Sequence, residues 1–178
     1  MTIESIIDAT IGKEGGYSNH PADRGGPTRW GITQAVAHRN GYRGDMYALP
    51  RETAIAIYRA EYFEKPGFVG VAALSPAIAE ELFDTGVNMG PAVPSMMLQR
   101  CLNALNRGGT DYPDLLVDGK IGPGTIAALR AYLKVRGKEG EGVLLKALNC
   151  LQGERYVDLA EKRPANEAFL YGWIRTRI

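Results

Sequence analysis

The chain has 178 residues, 45% of them hydrophobic and 23% charged, with a formal net charge of +1. That balance can build a globular core and does not fit disorder, and a charge so near zero excludes a protein made mainly to grip nucleic acid. No apolar run approaches the ~20 residues that cross a bilayer, and the opening MTIESIIDATIGKEGG lacks the basic start and unbroken apolar core of a cleaved signal.

Ile3, Ile6, Ile7, Thr10 and Ile11 recur at helical spacing and predict an amphipathic first helix. Gly15 and Gly16 supply its stop, which leaves Glu14 in or just past the last turn. The negative end of the helix dipole disfavours an ionised carboxylate there, and partial burial acts in the same direction. Both effects suit a carboxyl that holds a proton near neutrality. An exposed terminal Glu without a role is the plainer reading of that placement.

The stretch EGGYSNHPADRGGPTRWGIT, residues 14–33, is too rich in Gly and Pro for helix. It predicts a small β-hairpin near residues 17–30, and Thr33 as N-cap of the helix that follows. Glycosidases commonly set an acid and a base or nucleophile across the scissile bond, and Glu14 with Asp23 can meet that need, with Thr28 holding the attacking water. Singly, each has a plain alternative: Asp23 as a turn-former, Thr28 as a strand residue, Trp30 as core.

PRETAIAIYRAEYFEKPG reads as a helix with Ile55, Tyr58 and Tyr62 on one face, bracketed by Pro50 and the Lys65-Pro66-Gly67 stop. Its aromatics are more often core, although a flat ring can line a sugar cleft. Ser75-Pro76 caps the next helix, on which Asp84 and Asn88 share a face. Asp84 is expected to bond a neighbouring helix, while Asn88 stays open between that role and a cleft. VPSMMLQRCLNALNRGG follows as a core helix, then a turn-rich loop with Asp118-Gly119, a helix from Pro123, a charged linker over 134–141, a long helix, and a short amphipathic one carrying Phe169, Leu170 and Trp173. Cys101 and Cys150 lie in apolar helical patterns and are expected to be buried free thiols, a disulfide remaining open. His20 and His38 alone do not make a zinc site.

These residues resemble a known family. EGGYSNHPADRGGPTRWGIT, the IYRAEYF helix and FDTGVNMGP are similar to glycoside hydrolase family 108, the N-acetylmuramidases of phage endolysins and related bacterial proteins. LQRCLNALN, VDGKIGPGTIAAL and FLYGWIRTR resemble the predicted peptidoglycan-binding domain that accompanies it. The resemblance implies a mainly α, lysozyme-like α+β fold, a helical bundle around a catalytic cleft. Residues 1–90 would be the catalytic region and 91–178 the wall-binding region, packed as one compact unit.

It implies cleavage of the β-1,4 bond between N-acetylmuramic acid and N-acetylglucosamine, with Glu14 as the acid. Glu14, Asp23 and Thr28 are spaced much like the triad of bacteriophage-type lysozymes, with the Asp-to-Thr gap one residue shorter. By that analogy Asp23 positions or activates water and the anomeric carbon inverts. Members often carry Tyr-Trp where this chain has Tyr62-Phe63, which weakens Phe63 as a platform. Tyr17, Trp30, Tyr58, Tyr62 and Asn88 are the candidate substrate contacts. The expected partner is a glycan strand met by a monomer, with no cofactor, metal, nucleic acid or membrane insertion. Many relatives begin with a membrane or signal-anchor segment, whereas this chain starts at the catalytic helix. Synthesis in the host cytoplasm and holin-dependent release to the wall are therefore expected, as for an endolysin. The competing readings are a catalytically silent wall-binding or secretion-related protein and a lytic transglycosylase.

Overall fold

The structure, a computed structural model, describes residues 7, 8, 11, 16–19 and 26–178. The fold is mainly α with one small antiparallel sheet, as the lysozyme-like expectation has it. Two compact units make up the chain, Met1–Lys65 and Pro66–Ile178.

In the first unit Ile7 and Ile11 are helical and fully buried, one turn apart on a single face as their spacing predicts. Asp8, on the outer side, pairs with Arg51 at 2.6 Å. The sheet has three two-residue strands, β1 (Tyr17–Ser18), β2 (Thr28–Arg29) and β3 (Ile32–Thr33), in the order β1-β2-β3. Tyr17 faces Arg29 and Ser18 faces Thr28; across the second ladder Thr28 faces Thr33 and Arg29 faces Ile32. The expected hairpin is present, and β3 extends it.

Helix α1 (Gln34–Arg39) follows directly, with Thr33 Oγ1 accepting the Val36 N–H at 3.4 Å. Thr33 is thus the N-cap that its hydroxyl and position predict. A 3-10 turn over Met46–Ala48 buries Met46 and leads to α2 (Arg51–Tyr58). Where a continuous α-helix was expected, the chain widens into a π-helical turn over Arg59–Glu64. The Lys65 N–H reaches back five residues to the Ala60 carbonyl. Hydrophobic spacing cannot register one wide turn, because the same apolar residues satisfy either pitch. Such turns recur at functional sites; this one buries Phe63 completely.

The second unit is helical: α3 (Phe68–Ala72), α4 (Pro76–Met89), α5 (Ala92–Leu105), α6 (Pro123–Lys162) and α7 (Glu167–Arg177). Ser75 caps α4, accepting the Ile78 N–H at 3.2 Å, with Pro76 at the first helical position. Ile78, Leu82 and Phe83 of α4, Leu98 and Leu102 of α5, and Leu129, Leu144 and Leu148 of α6 form the core. Buried Gln99 braces the loop between α5 and α6. Its Nε2 donates to Asp118 Oδ1 at 2.9 Å and the Lys120 carbonyl at 3.0 Å, while its Oε1 accepts the Gly119 N–H.

Two expectations need correction here. The 134–141 linker is helical except at Gly137, whose φ of 61° and ψ of −151° break α6 into two segments. Only glycine adopts that conformation readily, and the flanking charges are a solvated helix face. Cys101 is a buried free thiol, but Cys150 is free and exposed. The buried face of this part of α6 runs Leu144, Leu148, Gln152, Tyr156, and Cys150, two residues past Leu148, points about 200° away from it.

Helix α7 is also less embedded than its pattern predicts. Phe169 is 58% exposed, and no residue of α7 is fully buried. Trp173 stacks on Tyr156 at 5.2 Å, and Arg177 pairs with Asp84 of α4 at 2.8 Å.

Candidate active site

Of the three residues expected to carry the chemistry, Glu14 and Asp23 lie outside the described residues. Thr28 lies on β2, the central strand. Its Oγ1 donates to the Gly26 carbonyl at 3.1 Å, which leaves the oxygen's lone pairs available as acceptors. The strand is two residues long because Gly and Pro flank it closely and Trp30-Gly31 reverse the chain at once.

Trp30 is the strained point of this unit. It sits at φ 54° and Gly31 at φ 74°, two left-handed residues in succession, as a two-residue hairpin turn of mirror-image type requires. A bulky side chain in that region is a genuine outlier, and three contacts hold it there. The indole Nε1 donates to the Leu49 carbonyl at 3.1 Å. The Tyr58 hydroxyl donates to the Trp30 carbonyl at 3.0 Å. The Arg29 guanidinium lies over the indole, 5.0 Å from its centroid.

Arg29 also lies over the Tyr47 ring at 5.3 Å, and Tyr17 meets Tyr47 edge-on at 5.3 Å. Tyr17 is 38% and Tyr47 64% exposed, so the sheet presents an open aromatic surface with a cation set into it. Among the described residues the buried Arg29 Nε has no hydrogen-bond partner. Sequence reasoning named Tyr17 and Trp30 for this surface and missed Arg29 and Tyr47. Asp45 caps the turn that carries Tyr47, accepting its N–H at 2.9 Å, but a cap says nothing of which surface the next ring joins.

The remaining candidates separate. Tyr58 is only 2% exposed, so it holds the Trp30 turn from beneath and has no open face for a sugar. Tyr62 is half-buried beside it, the ring centroids 5.5 Å apart. Burial, followed by the neighbouring Glu61 charge, pushes its phenol above the usual range. Asn88 belongs to the second unit; it is exposed and donates to the Asp84 carbonyl at 2.8 Å within its own helix. Asp84 bonds neighbouring helices as expected, through Arg177 and through Gln152 Nε2 at 3.4 Å.

Also on α4, burial pushes the Glu81 carboxyl up to about 7, opposed by a bond from Thr85 Oγ1 at 3.2 Å. Nothing in the sequence pattern marks it. Among the described residues no group of three or more His, Cys, Asp or Glu is placed to hold a metal ion, and no helix is long and apolar enough to cross a membrane.

The glycosyl hydrolase 108 family model matches residues 7–90, a span that takes in the strained turn and its aromatic surface. Residues 7–90 belong to glycoside hydrolase family 108. The model described as a predicted peptidoglycan domain matches residues 93–178, so the family 108 region is followed by the companion domain the later motifs resemble. It is a glycoside hydrolase of peptidoglycan, acting at the cell wall. Among solved structures, Brucella abortus SagA is similar over 95% of this chain and 85% of its own, at 25% identity and a TM-score of 0.65. No curated protein matches the chain.

Proposed function

We propose that the chain is an N-acetylmuramidase that hydrolyses the β-1,4 bond between N-acetylmuramic acid and N-acetylglucosamine. The observation that carries this reading is Trp30, a bulky residue fixed at positive φ by hydrogen bonds at both its indole and its carbonyl. Strain of that kind persists where a loop must be held in one place, and it clusters at active sites. The turn so fixed follows directly on the strand that carries Thr28.

In the proposed mechanism Glu14 donates its proton to the bridging oxygen as the C1–O bond breaks. Asp23 takes a proton from a water whose oxygen bonds C1 from the opposite face. Thr28, whose own proton is directed at Gly26, accepts the water's second hydrogen bond and orients it. The product is an inverted hemiacetal and a free alcohol. Tyr17, Trp30, Tyr62 and Asn88 are the proposed substrate contacts, to which Arg29 and Tyr47 are added. Tyr58 acts through Trp30. Residues 1–90 carry the hydrolysis and residues 91–178 the wall binding, in a monomeric phage endolysin that reaches the wall through a holin.

The test is turbidity loss of purified walls with the wild type against Glu14→Gln and Asp23→Asn, alongside mass spectrometry of the fragments. Proton donation contributes roughly 10²–10⁴-fold, so Glu14→Gln should fold and lose activity on that scale or beyond. New reducing ends identify hydrolysis, whereas 1,6-anhydro ends would convert the assignment to a lytic transglycosylase. Nearly full activity in Glu14→Gln would remove the assigned acid. Lysis from inside a host cell only when a holin is co-expressed would support the endolysin role.

A further inference from the structure

The second unit holds a hollow of about 350 Å3 bounded by Gln99, Leu115, Leu116, Asp118 and Lys120. Its carboxylate is already committed, because Asp118 Oδ1 accepts from Gln99 Nε2 and from the Lys120 N–H, each at 2.9 Å. That group braces the loop. A second hollow, of about 240 Å3, lies at the break in α6 and is lined by Leu105, Tyr132, Arg136, Glu139, Gly140 and Val143. Its charged groups are differently placed.

Arg136 closes the first segment of α6 and Glu139 opens the second, on either side of Gly137. Each charge sits at the helix end whose dipole favours it. Among the described residues neither forms an ion pair or side-chain hydrogen bond. Arg136 is near enough to lower the pKa of Asp111, but Asp111 is held by both Nε and Nη2 of Arg107. The wall between the two charges is fixed: the Tyr132 hydroxyl donates to the Gly140 carbonyl at 2.8 Å. A Cβ on Gly140 would collide with the Arg136 Cβ, so only glycine fits there. The floor is apolar.

We propose that this hollow binds the zwitterionic end of an uncross-linked peptidoglycan stem peptide, with Arg136 on its carboxylate, Glu139 on its ammonium, and Leu105 and Val143 along its methylene arm. The assignment rests on the peptidoglycan reading of residues 93–178. Size selects peptide over glycan: about 240 Å3 is below the ~300–1,000 Å3 of sites that take larger ligands, and it suits one amino-acid head group. Surface chemistry agrees, since Tyr132 is 2% exposed and offers no ring face to a pyranose. Arginine is also the side chain best shaped for a carboxylate.

The test is calorimetric or NMR titration of the full chain in the Glu14→Gln background with L-alanyl-γ-D-glutamyl-meso-diaminopimelate. The controls are the same peptide acetylated at the free amine of its diaminopimelate residue, and a peptide-free disaccharide. Binding of the free peptide should weaken about 10- to 100-fold in Arg136→Ala, the worth of one hydrogen bond to a charged group. Glu139→Gln and amine acetylation should each weaken it, and together no more than either alone. Shifts should fall on residues 132–143. The proposal is overturned if the peptide fails to bind, if it binds equally well to both variants, or if only Arg136→Ala matters, which would leave a simple anion site. Both side chains are exposed, so the variants should fold, and the acetylated peptide tests the wild-type surface without any substitution. The titration reads no hydrolysis, so failure here and failure of the muramidase reading are separate results.

Discussion

Trp30 joins sequence to function at the scale of one residue. Its left-handed backbone is unfavourable by ~1–3 kcal/mol for a side chain of this kind, and the Tyr58 hydroxyl is one of the groups that offset it. Tyr58→Phe removes that donor while keeping the ring that fills the core. The expected loss is about 1–2 kcal/mol of stability, measured by denaturant unfolding, because a half-buried carbonyl loses its partner. Wall lysis should fall further than that loss explains, by about 10- to 100-fold at a temperature where the variant is folded, because in the proposed mechanism Thr28, on the strand entering this turn, orients the water and a small displacement is enough. Unchanged lysis would separate the turn from the chemistry. Glu81 is a residue of the opposite kind, titrated by its surroundings without an evident partner in the reaction. Its folded pKa of about 7 against an unfolded 4.5 means the native state binds more protons than the unfolded one between those values. Stability therefore falls as pH rises through that window. Glu81→Gln should be more stable than wild type at pH 8, by up to about 3 kcal/mol. The difference should shrink toward pH 4.5, as thermal melts across pH would record.

Helix α4 begins where a side chain closes its end, and the Ser75 hydroxyl that does so makes a second bond as well. It caps α4 through the Ile78 N–H and donates to the buried Glu141 carboxylate of α6 at 2.5 Å. Lys138, then Ser75, hold that carboxyl below its usual range against burial. Ser75→Ala should cost about 1 kcal/mol for the cap, plus about 1.5–3 kcal/mol for the bond to a charged group, seen as a lower denaturation midpoint. Ser75→Thr should recover much of it. The same elements show what the sequence could disclose. Thr33, Ser75 and Pro76 were legible because a cap acts on its own next turn, and the helical spacing of Leu98 and Leu102 gave the core face of α5. The π-helical turn at Arg59–Glu64 was not, since its pitch depends on Phe63 packing beneath it. The continuity of α6 was hidden for a related reason: charged residues read as linker when they are merely the wet side of a helix. Gly137, the real interruption, is a single glycine among three within six residues, 137, 140 and 142. Of the candidate site, Thr28, Trp30 and Tyr17 were legible from one stretch of chain, whereas Tyr47 and Arg29 meet only through the fold.

At the scale of the molecule, the family models and the packing divide the chain at different places. The hydrolase model ends at residue 90 and the peptidoglycan model starts at 93, yet the compact units meet at Lys65 and Pro66. Helix α4 lies between those two boundaries. It belongs to the hydrolase by sequence, but it packs on α3, α5 and α6 and buries Ile78, Leu82 and Phe83 completely among them. The Asp84–Arg177 pair, with the Arg177 side chain 8% exposed, ties the last helix to it as well. A fragment of residues 91–178 would keep the peptidoglycan sequence and lose the helix that fills its core. Each missing large side chain forfeits ~1.5–3 kcal/mol of burial, and Arg177 would be left without its carboxylate. Domains of this size hold only ~5–15 kcal/mol in all, so three such side chains are enough to abolish folding. The expected outcome is that residues 66–178 melt as one cooperative transition while 91–178 show none by circular dichroism and calorimetry. A cooperative melt from 91–178 would mean that α4 is a passenger and that the sequence boundary is also the folding boundary. The predicted result would mean the reverse, that the half matched by the peptidoglycan model folds on a helix taken from the hydrolase, and that the two cannot be separated by cutting where the families meet.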